Sequence, residues 1–448
     1  MWHINDDCIN VEGGISMNNN TSENATLEYK GKKIILPVVT GTEGEQAIDI
    51  SNLRKNTGLV SLDPGFVNTA SCYSRITYID GENGVLRYRG YPIEELVDHG
   101  IFIDIAYLLV NGELPTDAQH REFSRLLNEC SLIHEDMRHF FDSFPHGSHP
   151  MHILSTMINA MAAFYPDVDL QSLDDDINQS CARVISIVRT LAAFAYKRSI
   201  GEPIVYPRHD LSYCANFLNM MFDSPVRPYQ IRPEAVRLLN VLFIIHADHE
   251  QNCSTSAVRT IGSAQVNLYA TISAGISALS GPLHGGANQS VIDMLKIIHA
   301  DGDVNKFLKM AKDKDNPFRL MGFGHRVYKT YDPRAAIAKR ECENYLKLIK
   351  YHDPLLDIAH KVEEAALTDS YFVDRHLYPN VDFYTGILYR AMGIPENMLT
   401  VMFAIARLPG WVAHWREMIG ASTKLVRPRQ VYTGQECRHV EDNYRKIK

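Results

Sequence analysis

The segment HADHEQNCSTS, residues 246–256, carries two histidines with helical spacing. His246 and His249 are three residues apart, so on a helix they would share one face. A metal site is a weak interpretation, because the segment matches neither HExxH nor HxxEH and no clear third ligand follows. Histidines satisfied at a helix end and histidines that bind an anion both stay open as interpretations.

The segment GPLHGGAN, residues 281–288, surrounds a histidine with glycines. Glycine lets the backbone approach a ligand closely and adopt unusual dihedral angles. His284 in such a turn can donate a hydrogen bond or shuttle a proton, although turn chemistry alone would also explain the glycines. The segment is not a P-loop, since the GKS/T element is missing.

The segment RLMGFGHRVYKTYDPRA, residues 319–335, combines a Gly-x-Gly loop with a histidine and several cations. Gly322 and Gly324 form the loop, and His325 follows it. The cations of the segment are Arg319, Arg326, Lys329 and Arg334. Glycine N–H groups together with cations suit a phosphate or a carboxylate, and a solvated basic loop is the alternative.

Two charged residues lie in apolar stretches of sequence. Asp382 has Val381 and Phe383 as neighbours. Such surroundings would raise its pKa and let it serve as a base, unless it is a structural, hydrogen-bonded residue. Arg407 lies within the apolar run 402–409. A buried arginine must be paired, either with a protein acid or with a ligand carboxylate.

Two further arginines, Arg427 and Arg429, flank Pro428. One of them could hold an anion through two parallel hydrogen bonds. Two solvated loop arginines are the alternative interpretation.

The elements that would position these residues are predicted to be mostly helices. Residues 1–26 are polar and are predicted to form a mobile tail. Residues 27–93 look β-rich, and the runs RITYID and GVLRYRG flank the turn residues Asp80–Gly84, which predicts a hairpin. From Ile93 onward apolar residues recur at three- and four-residue spacing. The predicted fold class is mainly α with a small N-terminal β-rich portion.

Composition bounds the class of protein. The 448 residues predict two to four domains or one large enzyme. Lys and Arg total 45 against 53 Asp and Glu, so the net charge is −8. This acidity argues against sequence-independent binding of nucleic acid, although it allows a local basic pocket for a small anion. The eight cysteines form no close pair, which predicts reduced thiols rather than disulfides or zinc sites.

Targeting signals are not evident in the sequence. No run approaches the ~18 apolar residues of a membrane span. The first Lys or Arg is Lys30, and several acids precede it, which is unlike a secretory or mitochondrial leader. The sequence therefore predicts a cytoplasmic protein without a membrane partner.

Taken together, the five segments resemble the citrate synthase family in their order and spacing. The resemblance runs from about Ala25 to the end of the sequence, and MGFGHRVYK is similar to the bacterial branch. It implies a two-domain helical fold and a homodimer, with a hexamer as the alternative. The implied large helical domain is 94–284 plus 388–448, and the implied small helical domain is 285–387. The active site would lie in the cleft between them.

The resemblance also implies an activity: condensation of an acyl-CoA with oxaloacetate, and hydrolysis of the thioester to citrate and free CoA. Such an enzyme is an acyltransferase of the tricarboxylic acid cycle that converts acyl to alkyl on transfer, and it needs no metal or redox cofactor. Carried over to this sequence, Asp382 would abstract the α-proton, His284 would hydrogen-bond the thioester oxygen and His325 would donate to the oxaloacetate carbonyl.

The same resemblance implies two groups of binding residues. The implied oxaloacetate ligands are His249, Arg334, Arg407 and, from the neighbouring subunit, Arg427. The implied coenzyme A site contains Gly322, Phe323, Gly324 and Lys329.

One departure from the family pattern concerns the acyl group. Many members of this branch have Trp directly before GPxHGGAN, where this sequence has Ser280. The smaller side chain suggests a larger acyl pocket, so the alternative is an alkylcitrate or 2-methylcitrate synthase that uses propionyl- or longer acyl-CoA in a specialised, secondary-metabolite pathway. A remote alternative is an inactive relative that binds CoA or oxaloacetate. The intact His284, His325 and Asp382 argue against it.

Overall fold

The computed structural model describes residues 23–165, 174–421 and 424–440, which fall into two compact units. The described part of the first unit is 23–73 and 427–440, and the second unit is Ser74–Val426. The first unit contains the antiparallel strands β1 (Asn24–Tyr29), β2 (Lys32–Thr40) and β3 (Gln46–Ile48) and the helix α1 (Leu53–Thr57).

Alternation of apolar side chains explains strand β2. Ile34 and Leu36 are buried, whereas Ile35 between them is exposed, as expected for a strand with one covered face. Strand β1 begins at Asn24, a little before the predicted start of the β-rich portion. Residues 1–22 of the predicted tail lie outside the described residues.

The second unit opens with a small antiparallel sheet of β4 (Thr77–Asp80), β5 (Val85–Tyr88) and β6 (Tyr91–Pro92). The β4–β5 hairpin is confirmed at the predicted turn. The Asp80 carboxylate accepts the backbone N–H groups of Glu82 and Asn83, each at 3.0 Å, which closes the turn.

Helices form the rest of the second unit. They are α2 (Ile93–His99), α3 (Phe102–Asn111), α4 (Asp117–Glu129), α5 (Arg138–Asp142), α6 (Pro150–Phe164), α7 (Asp174–Ser199), α8 (Tyr213–Phe222), α9 (Pro233–His246), α10 (Cys253–Gly262), α11 (Leu268–Leu279), α12 (Ala287–Asp301), α13 (Val304–Lys312), α14 (Pro333–Leu348), α15 (Pro354–Leu367), α16 (Ser370–Val373), α17 (Asp382–Ala391) and α18 (Leu399–Gly420). Short 3₁₀ turns precede α5 and α18. The prediction of a mainly α chain with small N-terminal sheets is confirmed.

Helix α18 crosses the core of the second unit and packs on α3, α9, α10 and α11. Pro409 lies inside this helix and leaves it without one backbone hydrogen bond. At Gly410 a Cβ atom would lie 2.4 Å from the Ala247 carbonyl oxygen and 2.4 Å from Asp248 Oδ1. Only glycine therefore allows the segment after α9 to lie directly on α18.

Within the described residues no helix is long and apolar enough to cross a membrane. The implied boundaries of the large and small domains, and the cytoplasmic localisation, stay predictions.

Candidate active site

Three predicted histidines come from three segments of the second unit. His249 follows α9, His284 lies between α11 and α12, and His325 lies before α14. The ring centroids of His249 and His325 are 5.1 Å apart. The ring of Phe403 joins His284 to α18: its centroid is 6.4 Å from that of His284 and 4.9 Å from the Arg407 guanidinium carbon.

The charged residues belong to the same cluster. Arg334 and Arg407 both lower the pKa of Asp382, and Arg334 also lowers the pKa of His249. A hydrogen-bonded link supports this, since Asp332 accepts from both Arg334 and the backbone N–H of Val381, the residue before Asp382. The structure thus brings together six of the predicted residues, namely His249, His284, His325, Arg334, Asp382 and Arg407.

Backbone donors fix the tautomer of His325. Its Nδ1 accepts the N–H groups of Val327, at 3.0 Å, and Tyr328, at 3.3 Å. A nitrogen that accepts a hydrogen bond carries no proton, so the neutral ring keeps its hydrogen on Nε2. His325 can therefore donate from Nε2.

The same argument assigns His284. Its Nε2 lies 3.2 Å from the backbone N–H of Ser254 and 2.8 Å from the hydroxyl of that residue. Because the backbone hydrogen cannot turn away, Nε2 is the acceptor and Nδ1 carries the proton. The indole N–H of Trp411 donates to the same Ser254 hydroxyl at 3.1 Å and holds it in place.

All three histidines are neutral near pH 7. Burial, assisted by nearby arginines, lowers the pKa of His284 to about 4 and that of His325 to about 4. Burial and Arg334 hold the pKa of His249 well below its ordinary value. Each ring therefore offers a single N–H, and the tautomer decides where that donor lies.

Asp382 is the first residue of α17 and has the properties of a base. Burial, the largest cause, raises its pKa to about 6, against the opposing effects of Arg334 and Arg407. Its Oδ1 is buried and has no hydrogen-bond partner among the described residues. A buried carboxylate oxygen without a hydrogen-bond partner costs free energy, so protonation of this atom is favoured.

Hydrogen bonds connect the segment before α17 to the glycine loop at Gly322 and Gly324. The backbone N–H of Asn380 donates to the Gly322 carbonyl at 2.8 Å, and its side-chain amide donates to the Gly324 carbonyl at 3.0 Å. The Asn380 side-chain oxygen accepts the Asp382 N–H at 3.1 Å. The base and the loop that carries His325 are therefore held in fixed register.

Arg334 is 3% exposed and already has a protein acid as partner. Its guanidinium donates to both oxygens of Asp332, at 3.1 and 2.9 Å. Asp332 also accepts the Val381 N–H at 3.2 Å, which links the start of α14 to the start of α17. The guanidinium edge that does not face Asp332 is left for a ligand.

Arg407 is 1% exposed, and in the described chain no carboxylate lies within ion-pair distance of it. Its Nε donates to the His246 carbonyl at 2.6 Å. Burial lowers its pKa to about 10, and Asp248 is the main group that opposes this. The arginine is still charged at pH 7, so the alternative in which a ligand carboxylate pairs with it is favoured.

One of the implied coenzyme A residues, Phe323, lines a cavity of about 330 Å³. Lys314, Arg319 and Tyr371 also form part of its wall. Gly322 and Gly324 have positive φ angles of 78° and 80°. At Gly322 a Cβ would also lie 2.8 Å from the Val291 side chain and 3.0 Å from the Phe383 ring, so packing alone requires this glycine.

The remaining predicted cations are exposed. Lys329 and Arg326 have exposed side chains, and the Lys329 backbone N–H donates to the Gly81 carbonyl at 2.8 Å. Arg427 and Arg429 belong to the first unit and are exposed there, so the structure of one chain does not test the predicted role of Arg427. The His246 ring donates from Nδ1 to the Leu242 carbonyl at 2.7 Å, whereas its buried Nε2 has no hydrogen-bond partner among the described residues. No cluster of three or more potential metal ligands occurs among the described residues.

Several residues that the sequence analysis did not single out support the site. They are Asp248, Ser254, Tyr328, Asp332, Asn380 and Trp411. Asp332 could have been identified from the sequence as a helix N-cap, because Asp directly before Pro is common at the start of a helix. Asn380 has one local partner, the Asp382 N–H, but its contacts with Gly322 and Gly324 and the partners of the other residues are distant in sequence.

Comparison with known proteins gives a consistent result. The family model described as "Citrate synthase, C-terminal domain" matches residues 65–429. "Citrate synthase 1" of Mycobacterium tuberculosis is 51% identical over 417 residues, which cover 92% of this chain and 96% of that protein. The citrate synthase of Corynebacterium glutamicum is 49% identical over 420 residues, with 93% and 96% covered.

Solved structures agree with this over most of their length. Citrate synthase from Pyrobaculum aerophilum has a TM-score of 0.78 at 32% identity and covers 90% of this chain and 97% of its own. Citrate synthase from Thermoplasma acidophilum, in a ternary complex with carboxymethyl coenzyme A and oxaloacetate, has a TM-score of 0.77 at 30% identity, with 86% and 99% covered.

Proposed function

The chain belongs to the citrate synthase family, and from this premise we propose that it condenses acetyl-CoA with oxaloacetate and hydrolyses the product thioester to citrate and free CoA. This is the entry reaction of the tricarboxylic acid cycle, in which the acyl group becomes an alkyl group on transfer. The observation that carries the proposal is the single cluster in which a base with a raised pKa, Asp382, meets neutral histidines and two buried arginines.

Enolisation of the thioester uses Asp382 and His284. The Asp382 carboxylate takes a proton from the methyl carbon of acetyl-CoA, and its raised pKa makes it a stronger base than an ordinary aspartate. The His284 Nδ1–H donates to the thioester oxygen as negative charge develops there. The Ser254 N–H keeps that hydrogen on Nδ1.

Carbon–carbon bond formation uses His325 and the arginines. The enolate carbon attacks the ketone carbon of oxaloacetate, and the His325 Nε2–H donates to the ketone oxygen, which becomes the hydroxyl of the product. Arg334, Arg407 and His249 bind the two carboxylates of oxaloacetate and polarise its ketone. Water then cleaves the C–S bond, which gives the third carboxylate and the thiol of CoA.

The cavity next to Phe323 supports a coenzyme A site. Lys314 and Arg319 offer cations for phosphates, and Tyr371 offers an aromatic face for a base. Phe323 lies two residues before His325, so a CoA bound there would have its thioester end close to the catalytic histidines. In this proposal Gly322, Gly324 and Lys329 border the same molecule.

A homodimer completes the proposal, with Arg427 of one subunit reaching oxaloacetate in the other. Exposed apolar side chains near Arg427 support it, since Leu425, Val431 and Tyr432 are 61%, 57% and 70% exposed in the single chain. A hexamer built from such dimers has no supporting observation in one chain.

The test is thiol release with oxaloacetate and a chain-length series of acyl-CoAs, from acetyl to decanoyl. Acetyl-CoA is expected to have the highest kcat/KM, in keeping with relatives at 51% and 49% identity that are named citrate synthases. A tenfold advantage for a longer chain, about 1.4 kcal/mol of discrimination, would favour the alkylcitrate alternative instead. Ser280→Trp is the matched variant, because it would then restore the preference for short chains and otherwise leave the order unchanged.

A further inference from the structure

We propose that Tyr328 is a positioning residue for oxaloacetate, because its hydroxyl hydrogen fixes the tautomer of His249 that presents Nδ1–H to the ligand. The inference rests on the proposed function, since it explains how one ligand of the dianion is oriented. Tyr328 itself touches neither substrate.

Tyr328 is buried against both histidines of this part of the site. It is 1% exposed, and its ring centroid lies 4.8 Å from that of His325 and 5.6 Å from that of His249. Its hydroxyl oxygen is 3.3 Å from His249 Nε2. This is the one hydrogen bond that the hydroxyl makes with the described residues.

The direction of this hydrogen bond follows from the number of hydrogens. A phenol has one hydrogen, and His249 Nε2 is its available acceptor. If Nε2–H donated to the phenol instead, the hydroxyl hydrogen would be buried without a partner, at a cost of roughly 1–3 kcal/mol. The hydroxyl therefore donates, Nε2 is unprotonated and the ring hydrogen lies on Nδ1.

Both groups keep these protonation states near neutral pH. Burial, then Arg334, His325, Arg407 and His246, keep His249 neutral. Burial raises the pKa of the Tyr328 phenol well above its ordinary value; Arg334 opposes this, while Asp332, Tyr88 and Glu94 act in the same direction as burial. His249 Nδ1 has no hydrogen-bond partner among the described residues, so its hydrogen is free for a carboxylate.

The group that fixes the tautomer of His249 differs in one respect from the groups that fix the tautomers of His284 and His325. Backbone N–H groups fix His284 and His325, and substitution by any residue other than proline leaves these groups in place. The donor to His249 is the hydroxyl of a side chain, so Tyr328→Phe removes this hydroxyl and leaves the buried aromatic ring in place.

The first experiment measures oxaloacetate binding and steady-state kinetics of Tyr328→Phe. The Kd and KM for oxaloacetate are expected to rise by about 3–10-fold, the loss of one neutral hydrogen bond. The KM for acetyl-CoA should stay within about twofold of wild type. The matched control is Tyr389→Phe, because the Tyr389 hydroxyl is also buried but has no hydrogen-bond partner in the described chain. Unchanged oxaloacetate affinity in Tyr328→Phe would overturn the proposal.

A double-mutant cycle separates positioning from simple packing. In His249→Asn the target of the hydroxyl is gone, so adding Tyr328→Phe should raise the oxaloacetate Kd no further. If the two effects multiply, Tyr328 acts by another route and the proposal is wrong.

A spectroscopic measurement tests the proposal without relying on enzyme activity. Solid-state NMR of protein labelled with ¹⁵N-histidine reports which ring nitrogen carries hydrogen, and His249→Asn identifies the signals. Nδ1–H is expected in the wild type, and a mixture of tautomers in Tyr328→Phe. Nε2–H in the wild type would refute the proposed tautomer even if the enzyme were fully active, whereas inactivity with Nδ1–H would refute only the proposed function.

Discussion

Replacing Asp382 by Asn is expected to stabilise the folded protein while it removes the base. In the folded chain burial raises the pKa of this carboxyl from its ordinary 3.8 to about 6. A raised carboxyl pKa means that ionisation opposes folding. Asn has the same shape as the neutral acid and cannot ionise, so it avoids this penalty.

The size of the effect depends on pH. The gap between 3.8 and about 6, at ~1.36 kcal/mol per pH unit, amounts to about 3 kcal/mol. The folded state holds the proton more tightly, so wild-type stability falls as pH rises from about 4 to 6 and the penalty is complete above that range. The advantage of Asp382→Asn should be about 3 kcal/mol at pH 8 and about half of that at pH 5.

The assay compares unfolding of wild type and Asp382→Asn at pH 5 and pH 8, at one protein concentration and one scan rate. Glu364→Gln is the control, because Glu364 is an exposed carboxylate on α15 and its neutralisation should change stability little at either pH. In parallel, kcat of Asp382→Asn should fall by about 10²–10⁴-fold. The wild-type kcat/KM should decline below about pH 6, where the base becomes protonated.

Two results would refute this reasoning. One is a stability change that is the same at pH 5 and pH 8, because only a titrating group gives a difference. The other is an acidic limb of kcat/KM near pH 4, which would mean that the base has an ordinary pKa.

Two further predictions concern a close packing contact and the dimer. At Gly81 a Cβ would lie 2.2 Å from the Val327 carbonyl oxygen, so Gly81→Ala must shift the loop that orients His325 and should lower kcat by up to about 10²-fold. Gly420→Ala, whose Cβ meets nothing within 4 Å, should be neutral in the same assay, and equal effects of the two would contradict the prediction. If Arg427 acts across the dimer, co-expressed Asp382→Asn and Arg427→Ala subunits should recover about a quarter of wild-type activity, since half of randomly formed dimers contain one intact site. No recovery would indicate that each site is built from one chain.

The chemical character of the candidate site could be predicted because its residues lie in short, distinctive segments. Glycines around His284 and before His325, and a carboxylate beside Val381 and Phe383, are local signals. The raised pKa of Asp382 agrees with the prediction from its apolar neighbours. The β4–β5 hairpin was predictable for the same reason, since its turn residues are consecutive.

The partners of these residues could not be predicted. Apolar sequence around Arg407 indicated burial but left two kinds of partner open, and the structure gives it a backbone carbonyl rather than a carboxylate. For Arg334 the sequence offered a ligand anion or a solvated loop, whereas the structure pairs it with the buried acid Asp332. Such pairings depend on contacts between helices, and no local pattern records them.

The sequence by itself determined which residues could do chemistry, that the chain is mainly helical, and which family its motifs resemble, because residue type, spacing and periodicity are properties of short segments. The donors that fix the His325 tautomer are local, since they belong to the residues two and three positions later. For His249 and His284 the tertiary structure alone decided which ring nitrogen carries hydrogen. Ser254 reaches His284 across 30 residues and Tyr328 reaches His249 across 79 residues. The donors to these two rings, and their burial, exist only after distant segments have packed together.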